Sequence, residues 1–353
     1  MNADANRIVD VNFNRTREAL RVLEDYARFV LDDRTIAATV KQARHDLAAA
    51  VAAAGPEQLL AARDIAGDVG RASKTPTELS RPDAQAVLRS AFGRLTESAR
   101  SLGEFGKLIS ADLAAAAEAL RYRAYEWEQV MLGRGELRAR FRAVRLYVII
   151  TEALCKRDWL ATAEAAIRGG AACVQLREKS LPDGELLSRA RRLRELTAPQ
   201  GVLFIVNDRP DIARLAHADG VHVGQDDVSV NDARRVLGGD RLIGKSTHSL
   251  EQVAAAIAEN PDYIAVGPMF ASTTKPQEHV PGTALLARAA ERTALPRVAI
   301  GGITPLNVAA VTAAGASAVC VCAAVISADD PAAAAAAILA AAGRTAPAGL
   351  QVK

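Results

Sequence analysis

Asp208 and Asp227 each stand at the polar end of a short apolar run in the stretch LFIVNDRPDIARLAHADGVHVGQDD, with a helix-length segment between the runs. Strand–helix–strand with carboxylates where the strands stop is the layout of a site at the carboxyl edge of a parallel sheet. Two carboxylates brought together repel unless a proton or cation lies between them, and their hard oxygens suit Mg²⁺. The same two residues would equally serve as helix N-caps. Arg177, Lys179 and Lys275 add fixed positive charge, and an arginine can grip phosphate oxygens with two hydrogen bonds. Gly301-Gly302 and the turn after the last apolar run can offer bare backbone N–H groups to a phosphate. Ser272–Lys275 lies in the polar loop FASTTKPQEHVPGT, whose small hydroxyl residues suit closure over phosphate or a plain connection. Two carboxylates with several cations imply a metal-bridged diphosphate and a second phosphate site. There is no Cys–His or Ser–His pairing with nucleophile logic. Lys245 in IGKST is the nearest candidate for a Schiff-base lysine, and it fits equally well facing out of a barrel. His222 in GVHV takes no role at this stage.

These groups need a scaffold that gathers them. From Arg145 onward, short apolar runs alternate with helical segments: RLYVII, AACVQL, VLFIV, GVHV, RLIGKS, YIAVG, RVAIGG and ASAVCVC. Eight such units match a (β/α)₈ TIM barrel over 144–343, in preference to a doubly wound open sheet. Capable side chains follow at least five of the runs, and the carboxyl rim of this fold is where active sites lie.

The first 133 residues carry helical patterning and almost no strand signal, so an all-α domain is expected over 1–133. NFNRTREALRVLEDYARFVL places Leu20, Leu23, Ala27 and Val30 on one apolar stripe. A second copy follows in FGRLTESARSLGEFGKLI, aligning Phe13 with Phe92, Arg15 with Arg94, Glu18 with Glu97, Arg21 with Arg100, Leu23 with Leu102, and Tyr26 with Phe105. The recurring Arg-x-x-Glu-x-x-Arg suggests a pseudo-symmetric helix pair whose Arg15, Arg21, Arg94 and Arg100 face one anion site. The plain alternative is two solvated faces held by local ion pairs. Between the copies, ARDIAGDVGRASK is a polar, glycine-bearing loop with Asp64, Gly67, Asp68, Gly70 and Lys74, and it has no P-loop cradle. His45, beside Arg44 in a helix, reads as structure. Gly133-Arg134-Gly135 should end the helix that begins near Leu113, leaving a linker over 134–143. The last residues, 344–353, are expected to be a disordered tail.

Composition sets outer limits. The chain has 353 residues, half of them hydrophobic and only 4% aromatic, which favours alanine-rich helices over an all-β fold. A net charge of +3 gives no case for nucleic acid or a membrane surface. No apolar run approaches the roughly 20 residues of a membrane span, and MNADANRIVD has no signal-peptide core. Cys155, Cys173, Cys320 and Cys322 form no CxxC pair and read as reduced thiols, so a cytoplasmic protein is expected, with a homo-oligomer left open.

Two resemblances sharpen this. NFNRTREALRVLEDYARF and ARDIAGDVG resemble the helical domain fused ahead of thiamine-phosphate synthases in some bacteria. That resemblance implies phosphorylation of hydroxymethylpyrimidine phosphate, with ATP as the donor, and leaves a structural role open. VQLREK, VNDR, GVHVGQDD, IGKSTHS, GPMFASTTKP and AIGGI, in that order, resemble the motifs of thiamine-phosphate synthase. The implied reaction joins hydroxymethylpyrimidine diphosphate to thiazole phosphate, giving thiamine phosphate and pyrophosphate. By the same resemblance Asp208 and Asp227 are Mg²⁺ ligands. Gln175, Arg177, Lys179, Asn207 and Lys275 become diphosphate and pyrimidine contacts, and Ser246 a pyrimidine-side contact. Ser272 and Thr274 stand near the thiazole phosphate, with Gly302 in its cradle. Ser272 replaces the more usual Thr, and Ala323 stands where Ser is common, so backbone donors must serve there. A thiazole tautomerase on the same barrel, or a non-catalytic sensor of thiamine precursors, are the rival readings.

Overall fold

The computed structural model describes residues 3–64, 67, 80–271 and 279–343. The chain divides into two compact units, Met1–Gly135 and Glu136–Lys353.

The first unit is helical: α1 (Ala3–Phe29), α2 (Arg34–Ala53), α3 (Pro56–Ala61), α4 (Ala84–Gly106) and most of α5 (Ala111–Ala143). Asp33 and Asp83 cap α2 and α4 by accepting from Ile36 N and Ala86 N. Leu20, Leu23 and Ala27 of α1 are buried, as are Phe92, Leu95 and Leu102 of the second copy on α4. The two copies pack on each other, and Thr16 Oγ1 donates to Ser98 Oγ across their contact at 2.8 Å. Val30 falls beyond the end of α1 and is exposed, so the expected stripe stops at Ala27.

The expected linker over 134–143 is helix instead. α5 continues through Gly133 and Gly135 to Ala143. A helical glycine costs only about 1 kcal/mol, and local contacts outweigh that. Arg134 is buried and its Nη1 lies 2.6 Å from Asp33 Oδ2. The side-chain ends of Gln85 and Tyr26 come close to Gly135, and the helix runs on through it. The last turns of α5 belong to the second unit, where Leu137, Phe141 and Val144 form an apolar stripe packed with inward-facing strand residues. Arg138 Nε bonds the buried Asp262 at 2.7 Å.

The second unit is a closed parallel barrel in which each strand pairs with the next and β8 returns to β1. Its strands are β1 (Leu146–Ile150), β2 (Cys173–Leu176), β3 (Leu203–Asn207), β4 (Gly220–Val223), β5 (Leu242–Thr247), β6 (Tyr263–Val266), β7 (Arg297–Ile300) and β8 (Ala318–Val321). Side chains alternate between two cores, as strand geometry requires. Val148, Val174, Phe204, Ile243 and Ile264 face the helix layer, whereas Tyr147, Cys173, Ile205, Leu242 and Tyr263 fill the interior. Among the described residues no helix is long and apolar enough to cross a membrane. The tail over 344–353 lies outside the described residues.

Candidate active site

Asp208 leaves β3 with φ of 61°, a left-handed conformation that aspartate tolerates better than most non-glycine residues. Its N–H donates to His222 O on β4 at 2.8 Å, so the strand pair holds it in place. Asp227 sits in the loop after β4, where its Oδ2 accepts from Gly224 N at 2.6 Å. Lys245 Nζ anchors that loop by donating to Gly224 O at 2.8 Å. The carboxyl groups of Asp208 and Asp227 are close enough to shift each other's pKa.

Burial, and then the Asp227 carboxyl, push the pKa of Asp208 up against the pull of Lys179, whose Nζ lies 2.5 Å from Asp208 Oδ2. Burial also acts to raise Asp227, but hydrogen bonds from Asp208 and Gly224 N, with Lys179 and Lys245 nearby, carry it below its ordinary value. Facing each other, the two carboxyl groups are thus driven apart in acidity, Asp208 upward and Asp227 downward. Among the described residues no cluster of three or more His, Cys, Asp or Glu side chains is arranged for a metal. Two carboxylates alone fit Mg²⁺, which keeps waters and takes further oxygens from substrate phosphates.

The other sequence-predicted residues divide into three groups. Gln175, Asn207, Ser246, Arg177 and Lys179 lie in or just past β2, β3 and β5, at their carboxyl ends. Arg177 is half-buried, its backbone tied by Arg177 N to Ile150 O and by Thr151 Oγ1 to Arg177 O. Lys179 is exposed. Gly301 and Gly302, after β7, take φ of 104° and 63°, and a Cβ on Gly302 would stand 2.5 Å from Ala271 O. Only glycine serves such a close backbone approach at positive φ. Ser272, Thr274 and Lys275 lie outside the described residues.

Lys245 is not poised as a Schiff-base lysine. Gly244 and Ser246 face the interior, so Lys245 leaves β5 on the other face, and its ammonium engages a backbone carbonyl. Sequence reasoning gave no role to Tyr147, Tyr263 or His222. The structure buries all three in the barrel interior and joins them to Gln175 and Ser246 by hydrogen bonds. The available signal was a polar-tipped tyrosine inside otherwise aliphatic strand runs, LYVII and YIAV. Burial lowers His222 to about 4, so it is neutral near pH 7.

In the helical unit, Arg15, Arg21, Arg94 and Arg100 are all exposed. The contacts of three of them run along their own helices: Arg21 with Glu24 and Asp25, Arg94 with Ser90, and Arg100 with Glu104. Such i, i+3 and i, i+4 pairs are those of a solvated helix face. The charged contacts that cross between segments are different ones. Arg63 grips the buried Asp10 through Nε and Nη2 at 2.7 and 2.6 Å, and Arg44 Nη2 lies 3.2 Å from the buried Glu24. His45 is exposed. Asp68, Gly70 and Lys74 lie outside the described residues.

A closed (β/α)₈ barrel with a carboxylate pair, cations and a diglycine turn on its carboxyl rim defines an enzyme for phosphorylated small molecules. Comparison with known proteins narrows the class. Residues 146–325 match the family model for thiamine monophosphate synthase, and residues 7–130 match that of the ThiD2 family. A thiamine-phosphate synthase from Thermosynechococcus vestitus is 42% identical over 89% of this chain and 88% of its own length. One from Rhodopirellula baltica is 40% identical over 89% and 86%. The solved thiamine phosphate pyrophosphorylase from Pyrococcus furiosus matches 57% of this chain and 98% of its own, at 32% identity and a TM-score of 0.54. The chain belongs to the thiamine-phosphate synthase family.

Proposed function

We propose that the barrel unit joins hydroxymethylpyrimidine diphosphate to thiazole phosphate at its carboxyl rim, releasing pyrophosphate, and that Asp208 and Asp227 hold the Mg²⁺ this transfer needs. The observation that carries the reading is the facing pair Asp208–Asp227, half-neutralised by Lys179, in a chain of this transferase family. A tautomerase would have no use for a carboxylate pair beside a diphosphate.

The bond that breaks joins the pyrimidine methylene to the diphosphate oxygen, and the bond that forms joins that carbon to the thiazole nitrogen. An amino-substituted pyrimidine can delocalise the positive charge that develops, so the protein's task is mainly electrostatic. Bound Mg²⁺ would supply the charge that the departing pyrophosphate requires. Arg177 and Lys179 add fixed positive charge beside it, and Lys275 is assigned the same role. Gln175, Asn207 and Ser246 orient the pyrimidine, while Ser272, Thr274 and the Gly302 turn align the thiazole phosphate. No strong base is called for.

For the helical unit the reading is phosphorylation of hydroxymethylpyrimidine phosphate by ATP, which would supply the barrel's diphosphate substrate. Its support is the family match over 7–130 and the motifs NFNRTREALRVLEDYARF and ARDIAGDVG. Both readings are tested on the full chain. Pyrophosphate release is measured with the two barrel substrates and Mg²⁺, and ADP release with ATP and hydroxymethylpyrimidine phosphate. Asp208→Ala should lower the first about 10²-fold and spare the second. A full chain that releases no ADP leaves the helical unit a scaffold.

A further inference from the structure

Five side chains form one hydrogen-bonded row through the barrel interior. Gln175 Nε2 donates to Tyr147 Oη at 2.7 Å, and Tyr147 Oη lies 3.2 Å from Tyr263 Oη. His222 Nδ1 lies 3.1 Å from Tyr263 Oη, and His222 Nε2 lies 2.9 Å from Ser246 Oγ. Tyr263 is fully buried, stacked on Phe141 with ring centroids 4.1 Å apart. A Cβ at position 244 would stand 2.1 Å from the Tyr263 ring, so Gly244 makes room for it.

Each inner member of the row has one proton to give: a phenol O–H, a second phenol O–H, and one N–H of a neutral imidazole. The members must therefore all point the same way. With the Gln175 amide nitrogen facing Tyr147, Tyr147 donates to Tyr263, Tyr263 donates to His222 Nδ1, and His222 Nε2–H donates to Ser246 Oγ. Ser246 then receives a proton from within and directs its own hydroxyl hydrogen elsewhere. Gln175 keeps Oε1 as a spare acceptor. Run backwards with the amide unturned, Tyr147 Oη would receive from both Gln175 and Tyr263, its own proton left with the weak acceptor Cys173 Sγ. The reverse order is satisfied only if the Gln175 amide also turns, presenting Nε2 in place of Oε1.

We propose that Tyr263 and His222 are positioning residues that lock Gln175 Oε1 as an acceptor and Ser246 O–H as a donor, and so set the site's preference for a 4-amino over a 4-oxo pyrimidine. This rests on the reading above that Gln175 and Ser246 contact the pyrimidine. A 4-aminopyrimidine offers an N–H donor beside a ring-nitrogen acceptor. A 4-oxopyrimidine offers the reverse, a carbonyl acceptor beside a ring N–H. Accepting it would require the whole row to turn over, because no single member can reverse alone. Two contacts on separate strands thus act as one reading element.

The test measures dissociation constants of full-length protein for the 4-amino and 4-oxo forms of hydroxymethylpyrimidine diphosphate, with Tyr263→Phe as the main variant. The phenylalanine keeps the ring stack and cuts the row. The ratio of the two constants should fall about tenfold or more, chiefly because the 4-oxo form binds better, while KM for thiazole phosphate stays at its wild-type value. A purely structural loss would weaken both ligands alike and leave the ratio unchanged, which overturns the proposal. Tyr147→Phe interrupts the same row one link nearer Gln175 and stands in if Tyr263→Phe does not fold. Gln175→Ala and Ser246→Ala separate the two failures. If neither weakens the 4-amino ligand, the site reading falls and takes the row with it. If both weaken it while the phenylalanine variants keep the wild-type ratio, only the row falls.

Discussion

The ammonium nitrogen of Lys179, beyond β2, lies 2.5 Å from Oδ2 of Asp208, beyond β3, and Asp208 in turn faces the carboxyl of Asp227, beyond β4. Three adjacent strands therefore deliver two negative groups and one positive group to one spot. That arrangement is costly unless a further positive charge arrives with the substrate, and this gives it catalytic meaning. Asp208→Ala and Lys179→Ala should each lower kcat about 10²-fold, the scale for deleting one group that stabilises developing negative charge. Steady-state pyrophosphate release checks this, and rates near wild type in both variants would remove the assignment.

Lys245 holds the Asp227 loop through Gly224 O. Lys245→Met leaves that carbonyl unpaired and lets the loop relax. The Mg²⁺ concentration giving half-maximal rate should rise about three- to tenfold, with KM for thiazole phosphate unchanged. A magnesium titration at saturating substrates reads this out, and an unshifted midpoint would show that the loop holds itself.

His222 links folding to pH. Its folded-state pKa of about 4 lies below the ordinary 6.5, so between those values the unfolded chain binds a proton that the folded chain refuses. Stability from this group is complete above about pH 6.5 and is lost as pH falls toward 4, by about 3 kcal/mol in all. Denaturant unfolding of the wild type and of His222→Gln at pH 7, 6, 5 and 4.5 isolates the effect. The difference between the two proteins should shrink as the solution is acidified, and a pH-independent difference would mean that the imidazole is not held neutral.

Phe141 carries much of the packing between the end of α5 and the barrel interior. It is buried, stacks on Tyr263 and lies edge-on to Tyr147. Phe141→Ala should cost about 3–5 kcal/mol in unfolding free energy. A loss under about 1 kcal/mol would indicate that these last turns of α5 are dispensable to the barrel.

The eight strands were legible because each is a short, mainly apolar run, most of them closed by glycine or a polar residue, a signal that needs no tertiary information. The pairing of Asp208 with Asp227 followed from the same rule, since consecutive parallel strands bring their carboxyl ends together. The course of α5 was not legible. Two glycines flanking Arg134 carry the local signature of a helix end, and only the burial of Arg134 against Asp33 overrides it. The four arginines of the duplicated helices were legible only as a helix face: an i, i+3 pattern of charge records the face, not whether it meets a ligand. Tyr147 and Tyr263 were invisible as a pair, because nothing in two runs more than a hundred residues apart announces that their hydroxyls meet.

The central claim, that Asp208 and Asp227 together hold a divalent cation against the diphosphate, is tested most directly by the EPR signal of Mn²⁺ as a Mg²⁺ substitute. The titration uses the wild type and Asp208→Asn/Asp227→Asn, each saturated with hydroxymethylpyrimidine diphosphate. The wild type should take up one Mn²⁺ per chain, and the double variant should lose at least about tenfold in affinity for it. Equal uptake by both proteins would contradict the account.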